Sequence, residues 1–346
     1  MRMKNIALAL AVGWSALVAM PALAQSTATS RTLDAVRARG QLICGVSTGT
    51  AGFALPDSRG EWQGLDVDMC RGLAAAILND ASRVRFVPLS NSVRFTATTN
   101  GEIDVLFRNS TQTLMRDTTL GLRQATTYFY DGMSFMVRDN SGVNRVVELA
   151  GATICILQGT TTEQVTAEFF RTNNVPFTPL LFERLDQAMA AMTAGRCDAY
   201  ANDGSSLAAV RATLPNGRDY RVLQERLSKE PYSAFVRQGD ELWFSIVRWY
   251  TNAIIEAEEL GVTRANAEEM RRTSTSPNVR RLLGHSPEIG ESMRLSADWA
   301  YNAVRAVGNY GEMYERHMGP NTPVNLPRGV NNLWNHGGLL YALPIR

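Results

Sequence analysis

Phe107-Arg108-Asn109-Ser110-Thr111-Gln112-Thr113-Leu114-Met115-Arg116-Asp117 closes a short apolar strand, Ile103 to Phe107, and leads into a short helix. A run of small polar residues at a strand's C-terminal end is poor core material. Its hydroxyls, amides and free backbone N–H groups suit a bound anion instead. Arg116 adds a planar fork that grips a carboxylate through two parallel hydrogen bonds. The same residues also fit a capped helix start, with a solvated Arg116 paired to Asp117 or Asp104. The stretch alone leaves both readings open.

Working outward, strands and helices alternate from Gln41. A strand over Gln41–Ser47 precedes a helix from about Asp66, whose Val67, Cys70, Leu73 and Ile77 share one face. The strand Val84–Leu89, a helix over Arg94–Thr99 and the strand Ile103–Phe107 follow. This succession specifies a wound α/β sheet, with its ligand crevice at the C-terminal ends of the strands. A related pattern returns later. Ile43-Cys44 precedes Gly49-Thr50 as Ile154-Cys155 precedes Gly159-Thr160, and Gly101-Glu102-Ile103-Asp104 is echoed by Gly195-Arg196-Cys197-Asp198. The unequal offsets exclude a fixed-period repeat and predict two lobes of one construction. The first is expected to run to the strand Phe135–Arg138, with the crossing at Asp139-Asn140-Ser141-Gly142. The chain returns through Leu227–Pro231 into the strand Ser233–Arg237. A long helix over Glu241–Leu260, further helices to about His317, and a tail pinned by Trp334 and Tyr341 complete the expected order. Two crossings make a hinge that lets lobes close on a ligand.

Residues 1–24 read as a cleavable leader: basic Arg2 and Lys4, apolar Ile6 to Met20, and small Ala22-Leu23-Ala24 before Gln25. No cysteine follows that site, and no later stretch is long and apolar enough to span a bilayer. The expected product is a soluble, exported protein. Without the leader, 33 acidic residues face an equal number of basic ones, and no block of like charge remains. That argues against nucleic acid or a membrane surface as partner. Cys44, Cys70, Cys155 and Cys197 allow three pairings. Periodicity favours Cys44–Cys70 and Cys155–Cys197, which keep each bridge within one unit. No pair has zinc-site spacing, so neither metal nor cofactor is expected.

Gln158-Gly159-Thr160-Thr161-Thr162-Glu163 joins a strand to a helix. Thr and Glu three residues apart make a capping box, and the free N–H groups make an anion site. Asp203 ends the second lobe's strand where Asn109 ends the first's. It reads either as the acceptor of an ammonium group or as a helix N-cap. Phe53 after the first strand is a pocket aromatic or a core one.

In sequence order, Thr32-Leu33-Asp34-Ala35-Val36, Gly64-Leu65-Asp66-Val67-Asp68, Thr113 with Arg116, Gln158-Gly159-Thr160-Thr161 and Asp203 resemble the periplasmic amino-acid-binding proteins of ABC importers. Ser228-Lys229-Glu230-Pro231, Trp299-Ala300-Tyr301-Asn302 and Val307-Gly308-Asn309-Tyr310-Gly311-Glu312 resemble the longer, general L-amino-acid subgroup of family 3. The resemblance implies a two-lobed, type II periplasmic-binding-protein fold. Lobe 1 would comprise 25–138 and 233–346, and lobe 2 would comprise 139–232. It also implies that Arg116 and the Thr160 and Thr161 amides hold an α-carboxylate and Asp203 the α-ammonium. Asn109, Thr111, Gln112 and Phe53 would complete the pocket. Gln112 stands where the subgroup is expected to carry an aromatic. The implied partners are a free amino acid and a membrane permease, with the protein a monomer and not an enzyme. A periplasmic dehydratase on the same fold would need a general acid beside a leaving hydroxyl, yet His285, His317 and His336 all lie late in the chain. A binding protein feeding a sensor uses the same liganded state and is not separable by sequence.

Overall fold

The computed structural model describes residues 29–346, so the expected leader lies outside the described residues. The first sheet forms around β1 (Leu42–Ser47), whose six residues are all buried. β1 pairs in parallel with β2 (Val84–Leu89) on one side and with the short β3 (Val105–Leu106) on the other. Parallel pairing needs crossovers, which helices α2 (Leu65–Leu78) and α3 (Arg94–Thr99) provide. β4 (Leu122–Asp131) and β10 (Glu230–Arg237) pair antiparallel at the far edge. The order is β2-β1-β3-β10-β4.

The second sheet comprises β5 (Met133–Arg138), β6 (Thr153–Leu157), β7 (Thr178–Phe182), β8 (Ala199–Asp203) and β9 (Tyr220–Val222), in the order β9-β5-β8-β6-β7. Here the expected boundary at 138 is wrong. Met133–Arg138 pairs antiparallel with β8 and β9, so it belongs to the second sheet, one strand earlier than the sequence reading. Asp139–Ser141 is a 3-10 turn beyond that strand, away from the crossing. The chain passes between sheets at Gly132 and returns between Leu227 and Glu230. The two passages are bonded to each other: Leu227 N donates to Met133 O at 2.9 Å, and Met133 N to Ser228 Oγ at 3.2 Å. A Cβ on Gly132 would lie 2.8 Å from Ser228 O, so the close approach requires glycine there.

Both expected disulfides are present, Cys44–Cys70 joining β1 to α2 and Cys155–Cys197 joining β6 to the entry of β8. Their Cα separations are 6.2 and 5.6 Å, ordinary spans for a bridge. A long helix, Glu241–Glu259, lays Trp243, Ile246, Val247, Tyr250 and Ile254 into the first sheet's core. Asp240 caps it by accepting from Trp243 N, and also accepts from Thr32 N and Ser30 Oγ. One carboxylate thereby ties the first described helix, Arg31–Arg39, to the long one. The tail is held differently from expectation. Trp334 and Tyr341 are about half exposed and pack on each other, while Leu333, Leu340 and Ile345 enter the core. No helix among the described residues is long and apolar enough to cross a membrane.

Candidate functional site

The cleft takes shape where strands of both sheets end. Beyond β3, Thr113 caps the short helix Leu114–Thr118 by accepting from Arg116 N at 3.2 Å. That cap turns Arg116 inward. Its guanidinium carbon sits 4.9 Å from the centre of the Phe95 ring, and NH1 donates to Thr111 O at 2.7 Å. The alternative pairing with Asp104 does not occur, because Asp104 accepts from Arg39 and from Ile43 N. Arg116 is buried, and burial lowers its pKa while Glu230 and Asp203 act to raise it.

Two further arginines, Arg94 and Arg108, reach the same cavity and were missed by the sequence reading. Arg108 Nε donates to Leu89 O at 2.9 Å, and burial lowers its pKa to about 10. Arg94 opens α3. Among the described residues, no ion pair involves Arg94, Arg108 or Arg116. The strand-end rule that selected Arg116 could have found Arg94, which follows the end of β2 by five residues.

On the second sheet, helix α5 (Thr161–Thr172) begins immediately after Thr160. Thr160 Oγ1 accepts from Glu163 N at 3.2 Å and donates to Leu157 O at 2.7 Å; Glu163 Oε2 accepts from Gly159 N at 2.8 Å. Gly159 takes φ 70°, which shapes the turn. The cap stabilises the helix, and Thr160, Thr161 and Thr162 line the cavity at its N-terminus.

Asp203 sits at the N-cap position of the helix Gly204–Thr213 but makes no side-chain cap bond. Its Oδ2 accepts from Tyr232 Oη at 2.7 Å, and its buried Oδ1 has no partner. Burial, then the charges of Glu230 and Asp131, hold its carboxyl well above the usual range, against the pull of Tyr232 and Arg116. An unmatched buried acceptor is costly unless a ligand donor meets it. Asn109 lines the same cavity with φ 26°. Its Nδ2 donates to Ser206 Oγ across the cleft at 3.3 Å, and its Oδ1 is also unpaired.

Thr111 is likewise at the cavity, and its hydroxyl donates to Glu230 Oε2. Thr161 Oγ1, from the other sheet, donates to the same oxygen at 2.8 Å, and Ser228 Oγ donates to Oε1. Glu230 is a third residue whose role the sequence did not expose; it ties both cleft walls to the return crossing.

Two expected pocket residues lie elsewhere. Phe53 is fully buried, edge-on to Phe129 at 5.3 Å and to Tyr232 at 5.9 Å, and does not line the cavity. Gln112 Nε2 donates to Ala125 O at 2.7 Å, and its Oε1 accepts from Thr127 Oγ1 at 3.2 Å. Those bonds turn Gln112 toward β4 and away from the cavity. The cavity is small, about 70 Å³, and its walls meet again where Ser92 Oγ donates to Glu183 Oε1 at 3.0 Å.

Residues 42–320 match the bacterial extracellular solute-binding proteins, family 3. The general L-amino acid-binding periplasmic protein AapJ of Rhizobium johnstonii is 46% identical over 99% of this chain and 100% of its own length. The glutamate/glutamine/aspartate/asparagine-binding protein BztA of Rhodobacter capsulatus is 48% identical over 95% of this chain and 97% of its own. Among solved structures, a periplasmic binding protein from Brucella ovis with glutathione bound superposes with a TM-score of 0.90. It is 47% identical and covers 92% of this chain and 100% of that one. The chain belongs to the family 3 extracellular solute-binding proteins.

Proposed function

We propose that this family 3 protein binds free amino acids in the periplasm and delivers them to the membrane permease of an ABC importer. One observation carries the reading: Asp203 Oδ1, an unpaired buried acceptor, shares a closed cavity with Arg116 and the first turn of α5. A zwitterion matches both. Its α-carboxylate meets Arg116 and the Thr160 and Thr161 amides, and its α-ammonium meets Asp203. Asn109 and Thr111 complete the polar wall. The lobes divide at the crossings, so lobe 1 holds the first sheet and the C-terminal helices, and lobe 2 runs from Met133 to about Leu227. They hinge at Gly132 and at 227–230, and the bonds across the cleft correspond to the closed form. The protein acts as a monomer, exported through its leader, and performs no chemistry on its ligand. None of His285, His317 and His336 lines the cavity.

The names of AapJ and BztA support amino acids as the ligand class. The glutathione in the Brucella ovis relative makes a γ-glutamyl peptide a necessary comparison. Ligand-stripped protein titrated calorimetrically with the protein amino acids and with glutathione tests the reading. Binding of several free amino acids supports it; binding of glutathione alone, or of nothing, overturns it.

A further inference from the structure

The helix Gly204–Thr213 starts without help from its own N-cap residue. Asp203 makes no side-chain cap bond, although aspartate at that position ordinarily accepts from the second or third N–H of its helix. The first two N–H groups are taken instead by the crossing from the first sheet. Gly204 N donates to Gly132 O at 2.9 Å, and Ser205 N donates to Asp131 Oδ2 at 2.9 Å. Ser205 Oγ donates to the same carboxylate oxygen. Asp131, the last residue of β4, thus caps a helix that follows a strand of the other sheet.

Asp131 is itself held in place. Its Oδ1 accepts from Gly132 N at 2.8 Å. Tyr130, one residue earlier, lies on the edge strand of its sheet, and Asn331 from the tail bonds both of its main-chain groups. Asn331 Oδ1 accepts from Tyr130 N at 2.7 Å, and Nδ2 donates to Tyr130 O at 3.0 Å.

The consequence falls on Asp203. With its helix capped from elsewhere, its Oδ2 accepts from Tyr232 Oη and its Oδ1 stays unpaired at the cavity. Tyr232 Oη also lies 3.2 Å from Asp131 Oδ2, but its single proton serves the nearer Asp203 oxygen at 2.7 Å. Resting on the reading of Asp203 as the α-ammonium acceptor, we propose that Asp131 is a positioning residue for the ligand: by capping the helix from the crossing, it keeps the Asp203 carboxylate turned to the cavity. Without Asp131, the Ser205 N–H loses its acceptor, and the adjacent Asp203 turns back to cap its own helix. The ammonium then loses its charged partner. Asp131 also places a like charge near Asp203, and the variants below separate that charge from the cap.

A double-mutant cycle read by calorimetry with L-glutamine, L-glutamate and L-alanine tests the inference. Asp131→Ala removes cap and charge and is expected to weaken binding about 10-fold. Asp131→Asn keeps an acceptor for Ser205 N without the charge, and is expected to stay within about 3-fold of the wild type. In an Asp203→Asn background, Asp131→Ala is expected to cost no more than about 3-fold, because the carboxylate it positions is already gone. An equal loss with and without Asp203 overturns the inference and makes Asp131 a support of the crossing alone. A loss in Asp131→Asn as large as in Asp131→Ala also overturns it, assigning the effect to charge. So does wild-type affinity in folded Asp131→Ala. Should Asp131→Ala not fold, Asp131→Leu, similar in shape and without an acceptor, takes its place in the cycle. Asp203→Asn protein with wild-type affinities overturns the ammonium reading itself. Binding of none of the three amino acids overturns the functional reading and this inference with it.

Discussion

The two loops that form the cleft solve the same problem with different material. On the first sheet, the segment from Asn109 to Arg116 and the start of α3 present charged side chains: Arg94, Arg108 and Arg116, all buried. On the second, the start of α5, capped by Thr160 and Glu163, carries no formal charge, and Asp203 brings an unpaired buried carboxylate oxygen to the cavity. Guanidinium groups carry full charges and are costly to bury without a counterion. Helix N–H groups carry partial charges at little desolvation cost. The two walls thus differ in kind, full charges on the first and partial ones on the second.

Breaking the first wall has the largest expected effect. Arg116→Ala removes the guanidinium opposite a buried carboxylate and is expected to cost roughly 2–5 kcal/mol, about 30-fold or more in affinity. The loss should be nearly equal for every amino acid, as read by calorimetry; a loss confined to one ligand would place the α-carboxylate elsewhere. Asp203→Asn attacks the second wall. Losing a charged acceptor is expected to cost about 1.5–3 kcal/mol, and least for carboxylates lacking an α-ammonium.

The same residue sets a pH dependence. The Asp203 carboxyl is raised above its ordinary range in the empty protein, chiefly by burial. An ammonium ligand favours its ionised form, so below that raised value binding must release a proton, and affinity falls as pH falls through it. Above it the profile is flat. Asp203→Asn is expected to remove the slope; titrations in buffers of different ionisation enthalpy report the proton directly.

Glu230→Gln tests what joins the walls. It keeps the side chain's shape and weakens the acceptors for Thr111, Thr161 and Ser228. An expected cost of about 1 kcal/mol in affinity should accompany a larger radius by small-angle scattering of the empty protein. An unchanged radius would show that Glu230 is a local strut without influence on closure. The smallest effect is expected from Gln112→Ala. Its side chain bonds to β4 rather than the cavity, so the order of ligand preference should stay as in the wild type.

Much of this cleft was legible because it follows local rules. The inward turn of Arg116 needs only the Thr113 cap, and the Thr160–Glu163 cap is written in four consecutive residues. Arg94 was legible in position, five residues past the end of β2, but not in its company. Its relation to Arg116 and Gly159 spans distances in sequence over which no periodicity operates.

The sequence by itself determined the alternation of strands and helices, the disulfide pairing that periodicity favoured, and the capped loops at strand ends. The alternation and the capped loops depend on residues within a turn or two of one another, where propensity and capping dominate; the pairing rests on which neighbouring elements carry the cysteines. The tertiary structure alone decided that Met133–Arg138 joins the second sheet, since an apolar strand is the same string whichever partners it finds. It alone turned Gln112 away, through bonds to Ala125 and Thr127, and left Trp334 and Tyr341 outside, where they pack on each other. It also gathered three arginines around one cavity. Like charges converge there because the backbone, held by two sheets and their cores, fixes their positions.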